Sequence, residues 1–370
     1  MTRHTLTGRM IVTGGNGFIG TNFIRRILSL EHELDICVID RSSDLANFSI
    51  KEKVANTEKL AFKAFDLRNF EKVSELFHNF KPNYIVNFAA ESHVDGTIDR
   101  PVSSVLNNIE STLSILEAAR HYWTTSGTPE KFVHLQVSTD EVYGSLDDFD
   151  PAFTEIHAYK PNSPYSASKA ASDHLAKAWK TTYGLPTIIT CCSNNYGPFQ
   201  HPEKLIPLVT LNALETKPLP LYGDGSQVRD WLHVDDHVDG IIAALIMGKI
   251  GETYNFGGDC ELTNKELLHQ ICAHLDKIRP IKLVGNNLKL KRHSELIVNV
   301  EDRPGHDKRY AIDFSKARTQ LNWRPKRNFH KFLPDTINWY AENPNWVNYF
   351  SYSARTRQGL GKNNLKKPEN

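Results

Sequence analysis

The sequence predicts an α/β fold, in which a doubly wound parallel sheet is followed by a smaller α/β domain toward the C-terminal end. Two observations support this prediction. Short apolar runs of strand length alternate with amphipathic stretches of helical periodicity through the first half of the chain. In addition, the first apolar run leads directly into a glycine-rich turn that opens a helix, which is the order typical of a βαβ unit.

Composition and charge are those of an ordinary globular protein. Of the 370 residues, 40% are hydrophobic and 24% are charged, and the formal net charge is +1, which argues against a nucleic-acid surface. No apolar run approaches the length of about 18 residues that indicates a membrane span. The start of the chain lacks the apolar core of a signal peptide. We therefore expect a cytoplasmic protein with neither a membrane nor a nucleic acid as partner.

Cysteine usage agrees with a reducing compartment. The number of cysteines is odd, two of them are adjacent, and none shows the paired spacing of a metal site, so we expect buried free thiols and no bound metal. The five are Cys37, Cys191, Cys192, Cys260 and Cys272.

The first element of the predicted sheet is the apolar strand 9–13, which runs into a glycine loop at 14–20 and then into an amphipathic stretch at 21–28. Glycines let the backbone approach a pyrophosphate, and the helix N-terminus adds free amides and the positive end of its dipole. Contacts to a dinucleotide cofactor are therefore predicted for Gly14, Asn16, Gly17, Phe18, Ile19 and Gly20.

The second strand, residues 35–39, ends at Asp40, about twenty residues after the last glycine of the loop. An acid in this position accepts hydrogen bonds from the adenosine ribose and repels a 2′-phosphate, so it predicts NAD rather than NADP. Arg41 complicates this prediction, because an arginine beside the acid could bind a 2′-phosphate.

The next two strands, 60–65 and 83–88, flank a predicted helix at 70–80 and extend the cofactor site. Small residues after the second strand suit a backbone that passes beneath a cofactor, although simple packing would also explain them. Two asparagines, Asn107 and Asn108, lie near the start of a predicted helix at 109–120, where each could equally be a cap or a solvated side chain. The candidate cofactor contacts here are Asp66, Leu67, Phe88, Ala89, Ala90, Ser92 and Asn107.

The apolar run 132–137 predicts a buried strand that carries Ser138, Thr139, Asp140 and Glu141 at its carboxyl end. In a parallel sheet this is the end at which ligands bind. Two adjacent carboxyl groups are costly at such a position unless they are solvated or functional. We therefore predict that this stretch is catalytic.

Tyr165 and Lys169 follow on a helix for which Pro164 is a suitable first residue. Their spacing of four places the phenol and the ammonium group on one helical face. An ammonium group beside a phenol stabilises the phenolate, so we expect the pKa of Tyr165 to fall from about 10 toward neutrality. Tyr165 is thereby predicted to act as an acid/base catalyst beside a nicotinamide.

The pattern Gly14-x-x-Gly17-x-x-Gly20, Asp40 and Tyr165-x-x-x-Lys169 together resemble the extended short-chain dehydrogenase/reductases that act on nucleotide sugars. The run Thr139-Asp140-Glu141 resembles the 4,6-dehydratases of that superfamily, whereas its epimerases usually carry small or apolar residues after the Ser/Thr. Further motifs resemble the dehydratases that act on dTDP-glucose, and the resemblance spans about residues 9–348. These motifs are 194–198, 202–207, 229–231 and 302–307.

This resemblance implies a Rossmann-like NAD-binding fold and a lyase reaction on dTDP-glucose. The reaction oxidises C4, eliminates water across C5 and C6, and returns the hydride to C6 to give dTDP-4-keto-6-deoxyglucose. Tyr165, supported by Lys169, would take the proton of the 4-hydroxyl group, and Thr139 would hydrogen-bond the 4-oxygen. Glu141 would take the C5 proton while Asp140, held protonated by burial and its charged neighbour, would donate to the departing 6-hydroxyl group.

In the second half of the chain, the apolar run 187–192 predicts a core strand. The resemblance implies that Asn194 touches the sugar nucleotide and that Asn195 lies near the nicotinamide. A helix is predicted to begin at Lys204 and Leu205, where its amides could meet a diphosphate. The full set of predicted substrate contacts is Ser92, His93, Thr139, Asn194, Lys204, Leu205, Pro220, Tyr222, Arg229, Asn264, Arg303 and His306.

Within that set, Arg229 and Arg303 are assigned to the diphosphate because a guanidinium group binds phosphate through a planar fork. Outside these motifs a surface salt bridge would be the simpler interpretation of either arginine. Tyr222 is assigned to the base, and His306 is expected to assist. Asn264 is expected to cap the helix that follows it, a role that needs no ligand, although the resemblance places it near the nucleotide.

For domain organisation we expect a NAD-binding domain over residues 1–190, to which strands after 225 partly return. Residues 191–350 mainly bind the sugar nucleotide, and 351–370 form a polar, basic tail. The resemblance implies a homodimer through paired helices, one of which carries Tyr165. The segment 41–47 departs from the family pattern, and Asn107 stands where a threonine is usual.

Three alternatives stay open at this stage. The enzyme could be a 4,6-dehydratase for UDP-glucose, since one methyl group distinguishes thymine from uracil. It could be a 4-epimerase, although an epimerase needs no base for C5 and would leave Asp140 and Glu141 unexplained. A non-catalytic NAD-binding regulator on the same fold is the third, but such proteins commonly lose the tyrosine or the lysine that this chain keeps.

Overall fold

The structure is a computed structural model that describes residues 5–41, 57–125, 131–281 and 290–348. Most of the segment after Asp40 that departs from the family pattern, and the whole predicted tail at 351–370, lie outside the described residues.

A seven-stranded sheet forms the centre of the molecule, and every pair of neighbouring strands in it is parallel. Its strands are β1 (Thr7–Thr13), β2 (Glu33–Asp40), β3 (Leu60–Ala64), β4 (Tyr84–Asn87), β5 (Val133–Thr139), β6 (Thr187–Cys192) and β10 (Thr253–Phe256). The strand order is β10-β6-β5-β4-β1-β2-β3. The order reverses between β1 and β4, and at such a reversal the loops diverge and leave a crevice for ligands.

Two smaller sheets lie in the second half of the chain. One has the order β11-β9-β7, and in the other β8 pairs in parallel with β12. These strands are β7 (Asn194–Tyr196), β8 (Leu219–Tyr222), β9 (Val228–His233), β11 (Glu261–Thr263) and β12 (Ile297–Val300). The predicted fold class, a doubly wound Rossmann-like sheet with a smaller α/β part, is confirmed.

Helices cover both faces of the large sheet. The helices are α1 (Phe18–Leu28), α2 (Phe70–Phe80), α3 (Val94–Asp99), α4 (Pro101–Thr125), α5 (Pro164–Tyr183), α6 (Leu205–Leu214), α7 (Val234–Met247), α8 (Asn264–Ile278), α9 (Ser315–Gln320) and α10 (Phe329–Glu342). On one face α1 and α7 contribute Phe23 and Ile241 to the core, and on the other face α2, α4 and α5 contribute Phe77, Ile115 and Ala176. Burial on both faces explains why the strands are continuous apolar runs.

Two helix starts differ from the prediction. Helix α4 begins at Pro101, so Asn107 and Asn108 lie within the helix and are buried, and neither caps it. Helix α8 is capped by Thr263, whose hydroxyl oxygen accepts from the Glu266 amide at 3.1 Å while the Glu266 carboxylate accepts from the Thr263 amide at 2.8 Å. This reciprocal capping box satisfies two helix amides, and it leaves Asn264 as the first helical residue. The prediction of Asn264 as the cap was wrong by one position.

Four of the five cysteines are buried and free, as expected, but Cys260 is only partly buried. Among the helices that the structure describes, none combines the length and the apolar character needed to cross a bilayer.

Candidate active site

A cavity of about 1020 Å³ opens at the carboxyl ends of the sheet strands. This volume lies just above the range of about 300–1,000 Å³ that is usual for ligand sites. Residues that end or follow β1, β2, β4, β5 and β6 all line it, among them Gly14, Asp40, Phe88, Thr139 and Ser193.

The structure brings all but one of the predicted site residues to the wall of this cavity. Asp66 is the exception. Its carboxylate Oδ2 pairs with Nη2 of Arg68 at 2.7 Å, and this hydrogen bond lowers the pKa of Asp66 to about 2. The neighbouring Leu67 does line the cavity. Of the two contacts predicted after β3, only Leu67 therefore reaches the cavity wall.

The glycine loop is shaped by close backbone approach. A side chain at Gly20 would place its Cβ atom 2.4 Å from the Gly14 carbonyl oxygen, and Gly14 itself has a φ of +66° and lies against the backbone of Ala89. At the start of α1, Gly17 is the N-cap and offers no side-chain hydrogen bond to the first amides. Those amides face the cavity without a capping oxygen, which is the arrangement that fits the pyrophosphate of a dinucleotide.

Asp40 is held in place at the end of β2 by two backbone amides. Its Oδ2 accepts from the Asn16 amide at 3.0 Å, and its Oδ1 accepts from the Arg41 amide at 2.8 Å. Burial raises the pKa of Asp40, and these two hydrogen bonds oppose the rise. The carboxylate is therefore fixed where an adenosine ribose could donate to it.

Arg41 is surrounded by acceptors. Its Nη1 donates to Oε1 of Glu91 at 3.1 Å, its Nη2 donates to the side-chain oxygen of Asn107, and its Nε lies 3.9 Å from Asp66. Glu91 is therefore the carboxylate that pairs closely with this guanidinium group, and a 2′-phosphate brought beside it would meet repulsion as well as attraction. This pairing leaves Arg41 less available to a 2′-phosphate, which agrees with the prediction of NAD.

The end of β5 carries the predicted catalytic hydroxyl and carboxyl groups. Thr139 caps a short 3₁₀ helix, Asp140–Tyr143, by accepting from the Glu141 amide at 3.4 Å, and its hydroxyl group donates to Oδ1 of Asp140 at 3.2 Å. Only 2% of Asp140 is exposed. The strand end and the cap together fix the direction in which these side chains enter the cavity.

The surroundings of Asp140 favour its protonated form. Burial raises its pKa well above the ordinary value, and the nearby carboxylates of Glu141 and Asp230 raise it further, while Arg229 opposes them. Its Oδ2 is buried, and within the described part of the chain it has no hydrogen-bond partner. A protonated carboxyl group with one uncommitted oxygen can donate to a substrate atom.

Tyr165 and Lys169 lie in the first turns of α5, which begins at Pro164 as predicted and is capped by Ser163. The Lys169 ammonium donates to the Val137 carbonyl oxygen at 2.7 Å. Burial raises the pKa of Tyr165, and Glu141 and Asp140 raise it further. The prediction that this pKa falls was therefore wrong for the protein alone, because desolvation and two neighbouring carboxyl groups act against the phenolate.

Arg303 forms an ion pair that the sequence analysis missed. Its Nε lies 2.7 Å from Oδ1 of Asp95 and its Nη2 lies 3.0 Å from Oδ2, and the guanidinium carbon lies 4.5 Å from the Tyr222 ring centroid. Asp95 is buried. Only one residue separates Asp95 from His93, which like Ser92 is a predicted substrate contact. This closeness in the sequence could have identified Asp95 as a site residue. Asp95 keeps the guanidinium fork of Arg303 at the cavity wall.

Arg229 is held differently, by backbone carbonyl groups. Its Nη1 donates to the Val228 oxygen at 2.7 Å and its Nη2 donates to the Asp307 oxygen at 2.9 Å, while its guanidinium carbon lies 4.3 Å from the Tyr310 ring centroid. Arg229 is 7% exposed. A surface salt bridge, which was the alternative interpretation, is therefore excluded for this residue.

Asn195 is oriented by a second residue that the sequence analysis missed. Its Oδ1 lies 3.0 Å from Nδ1 of His237, and its Nδ2 donates to the Ser193 carbonyl oxygen at 2.8 Å. Burial lowers the pKa of His237 to about 3, so the ring is neutral and can donate from Nδ1. No spacing in the sequence links α7 to β7, so this contact was not predictable from a motif.

Comparison with known proteins agrees with this geometry. Residues 11–336 match the family model described as GDP-mannose 4,6 dehydratase. The chain is 45% identical to the dTDP-glucose 4,6-dehydratase of Neisseria meningitidis over 96% of this chain and 99% of that protein.

Two solved structures place the chain within the superfamily. The dTDP-glucose 4,6-dehydratase of Streptomyces venezuelae, with NAD and TYD bound, superposes with a TM-score of 0.80 at 40% identity, over 91% of this chain and 98% of that one. The UDP-glucose 4-epimerase of Thermus thermophilus, in complex with NAD, reaches 0.75 at only 27% identity, over 90% and 99%. The fold is thus shared with both, and the sequence is more similar to that of the dehydratase.

The raised pKa of Asp140 predicts a stability effect. The folded protein holds this proton at a pH where the unfolded chain, with a pKa of about 4, has lost it, so the carboxyl group destabilises the fold increasingly as the pH rises above that value. Asp140→Asn removes the titration and keeps the hydrogen bond to Thr139. We expect it to raise the free energy of unfolding at pH 7 by on the order of 1 kcal/mol.

Urea denaturation at pH 7 and near pH 4 measures this difference, which should shrink at the lower pH because about half of the unfolded chains then hold the proton as well. Asp35→Asn is the control, since Asp35 is exposed on β2. A difference that is absent at pH 7, or that grows on acidification, would contradict the neutral state of Asp140.

Proposed function

This chain belongs to the dTDP-glucose 4,6-dehydratase family, and from that premise we propose how its residues share the work of the reaction. The reaction is the NAD-dependent conversion of dTDP-glucose to dTDP-4-keto-6-deoxyglucose and water. One observation supports the proposal above the others. Two adjacent carboxyl groups, Asp140 and Glu141, share a cavity with Tyr165 and are close enough to raise its pKa.

NAD, when bound, accepts a hydride and returns it, and its oxidised ring carries a positive charge that favours the phenolate. Tyr165 removes the proton of the 4-hydroxyl group, and Thr139 hydrogen-bonds the 4-oxygen. Lys169 supports the phenolate from the next turn of α5. General acid/base assistance of this kind is worth about 10²–10⁴-fold.

We assign the elimination step to the carboxyl groups of Asp140 and Glu141. The 4-keto group acidifies the C5 proton, which Glu141 removes, and Asp140 donates its own proton to the 6-hydroxyl group as it departs. Burial raises the pKa of Glu141, and Lys204 opposes that rise. The two acids therefore have different surroundings: two carboxyl groups and one cation act on Asp140, whereas three cations and one carboxyl group act on Glu141 and favour its ionised form more. Such a difference separates an acid from a base.

The sugar nucleotide is assigned mainly to the part of the cavity formed by residues 191–348, together with Ser92, His93 and Thr139. The cofactor is assigned mainly to the part formed by the residues before 191, together with Asn195. Arg303 and Arg229 bind the diphosphate, helped by His306, and Tyr222 contacts the base. Lys204, whose Nζ donates to the Ser92 carbonyl oxygen at 2.5 Å, links the cofactor loop after β4 to the start of α6.

We place the protein in the cytoplasm. Five free cysteines fit a reducing compartment better than an oxidising one. Recovery of the native protein in a secreted fraction would contradict this placement.

Turnover of two nucleotide sugars tests the proposed function. The chain, incubated with dTDP-glucose and no added NADH, should form a product lighter by one water, with the alkaline absorbance of a 4-keto-6-deoxy sugar. UDP-glucose is the comparison substrate, because only the base methyl group and the 2′-hydroxyl group of the nucleoside distinguish it. Interconversion of hexose epimers without loss of water would indicate a 4-epimerase instead.

Glu141→Gln separates the two stages of the reaction. The amide cannot remove the C5 proton, so C4 oxidation should persist while overall turnover falls by about 10²–10⁴-fold. Rapid mixing should show the reduced-nicotinamide absorbance rising without release of product. Glu33→Gln, at an exposed position on β2, is the control. A variant at position 141 with wild-type turnover would remove Glu141 from the mechanism.

We propose a homodimer formed through α4 and α5, which pack against each other. Three apolar side chains of α4 are exposed on the single chain, namely Val102, Leu106 and Leu113. Light scattering should give twice the 42.0 kDa mass of one chain, and Leu106→Asp should shift the protein to monomer. Val298→Asp is the control because Val298 and Leu106 are equally exposed, at 47%. A wild-type monomer would contradict the proposal.

A further inference from the structure

A buried carboxylate lies behind the catalytic residues and has no role in the reaction described above. Asp173 follows Lys169 by four residues on α5, so both side chains lie on one helical face, and Asp173 is 0% exposed. Its Oδ2 accepts from the Ser138 hydroxyl group at 2.5 Å and from the Tyr159 hydroxyl group at 3.1 Å. Its Oδ1 is buried without a hydrogen-bond partner among the described residues.

A buried, ionised carboxylate of this kind destabilises the folded protein unless its charge is compensated. Burial of an ionised group costs several kcal/mol unless a counter-charge and hydrogen bonds offset it, and a neutral residue of similar size would avoid that cost. Two hydroxyl donors on one oxygen offset part of the cost. The unpartnered Oδ1 shows that hydrogen bonding does not fully satisfy the group, so its charge requires another explanation.

Lys169 supplies that explanation. Burial lowers the pKa of the Lys169 ammonium group, and the charge of Asp173 is the largest influence that opposes this effect. In return, burial raises the pKa of Asp173, and the charge of Lys169 is the largest opposing influence. Each charge thus makes the other tenable in a desolvated interior.

The other ionisable groups around this pair cannot replace Asp173. Cys191 and Cys192 face it from β6, and burial raises the pKa of both thiols, so they are neutral. Tyr159 and Tyr143 face it from the other side, and burial raises the pKa of both phenols.

A second cation, Lys177, lies farther along α5, with its Nζ 4.6 Å from the Tyr159 ring centroid. Its charge favours the Asp173 carboxylate. It cannot stabilise a second ammonium group, because like charges repel. Asp173 is therefore the negative charge on which the Lys169 ammonium relies.

The same two side chains reach consecutive residues of β5. Lys169 donates to the Val137 carbonyl oxygen, and Asp173 accepts from the Ser138 side chain. The next residues along the strand are Thr139 and Asp140. These two contacts, made from successive turns of α5, therefore fix the position of the carboxyl end of β5 relative to Tyr165.

We propose that Asp173 is a positioning residue for Lys169, which keeps the lysine charged and anchors the end of β5 against the helix that carries Tyr165. The inference deepens the proposed function and rests on it. It assigns Asp173 no contact with substrate or cofactor. The proposed effect passes through Lys169 and Ser138, although the charge of Asp173 also raises the pKa of Tyr165, which affects the acidic limb of the pH profile and not the alkaline limb assigned to Lys169.

Asp173→Asn tests the proposal, because the amide oxygen still accepts from Ser138 and Tyr159 while the charge is lost. Activity requires a charged Lys169, and without its counter-charge the lysine loses its proton at lower pH. The alkaline limb of kcat against pH should therefore move to lower pH by about one unit, with KM changed less than kcat. A purely structural role would lower kcat equally at every pH.

Ser172→Ala is the matched control. Ser172 is also buried on α5, but its hydroxyl group bonds the Ser168 carbonyl oxygen at 3.0 Å and faces α4, so the alkaline limb should stay in place. Circular dichroism and thermal melting of each variant establish that it is folded. If folded Asp173→Asn has the wild-type pH profile, or matches Ser172→Ala, the proposal is overturned.

A second variant decides the matter if Asp173→Asn does not fold. Ser138→Ala with Tyr159→Phe removes both donors and keeps the carboxyl group, which then holds its own proton more readily and stabilises Lys169 less. The alkaline limb should move in the same direction by a smaller amount, and an unchanged limb would overturn the proposal. Turnover of dTDP-glucose by the wild-type enzyme is measured separately, so failure of the proposed function is distinguishable from failure of this inference.

Discussion

Burial of charged groups at the carboxyl end of β5 is the constraint on which the active site depends. Removal of Asp140 and Tyr165 from water raises the pKa of both, which suits the role proposed for Asp140 as an acid but opposes the role proposed for Tyr165 as a base. Lys169 lies one turn from the phenol, but the pKa of Tyr165 is still raised in the protein alone, so the phenolate also depends on the positive charge that bound NAD would supply. The same desolvation then weakens the charge of Lys169, and Asp173 offsets that loss.

A similar division appears where the sugar nucleotide is expected to bind. Arg303 is paired with the buried Asp95, whereas Arg229 donates to two backbone carbonyl oxygens. Both guanidinium groups are therefore held at the cavity wall by partners within the protein before a diphosphate binds.

The architecture makes these arrangements possible because it gathers distant segments at one edge of a sheet. The loop after β1, the end of β2 and the turn after β4 meet the end of β5 only because the strands are parallel and the order reverses between β1 and β4. Helix α5 then crosses behind β5 and sets Lys169 and Asp173 against two consecutive strand residues.

The sequence by itself determined the sheet, the glycine loop and the catalytic run, because strand and helix periodicity and fixed short spacings are local properties. It also indicated Asp140 as an acid, since an adjacent carboxyl group is visible in the chain. Only the tertiary structure decided the direction of the Tyr165 pKa, the Asp95 partner of Arg303 and the contacts of Asp173. Each of these features depends on burial or on contacts between residues far apart in the chain. Burial and long-range contacts produce no periodic pattern in the sequence.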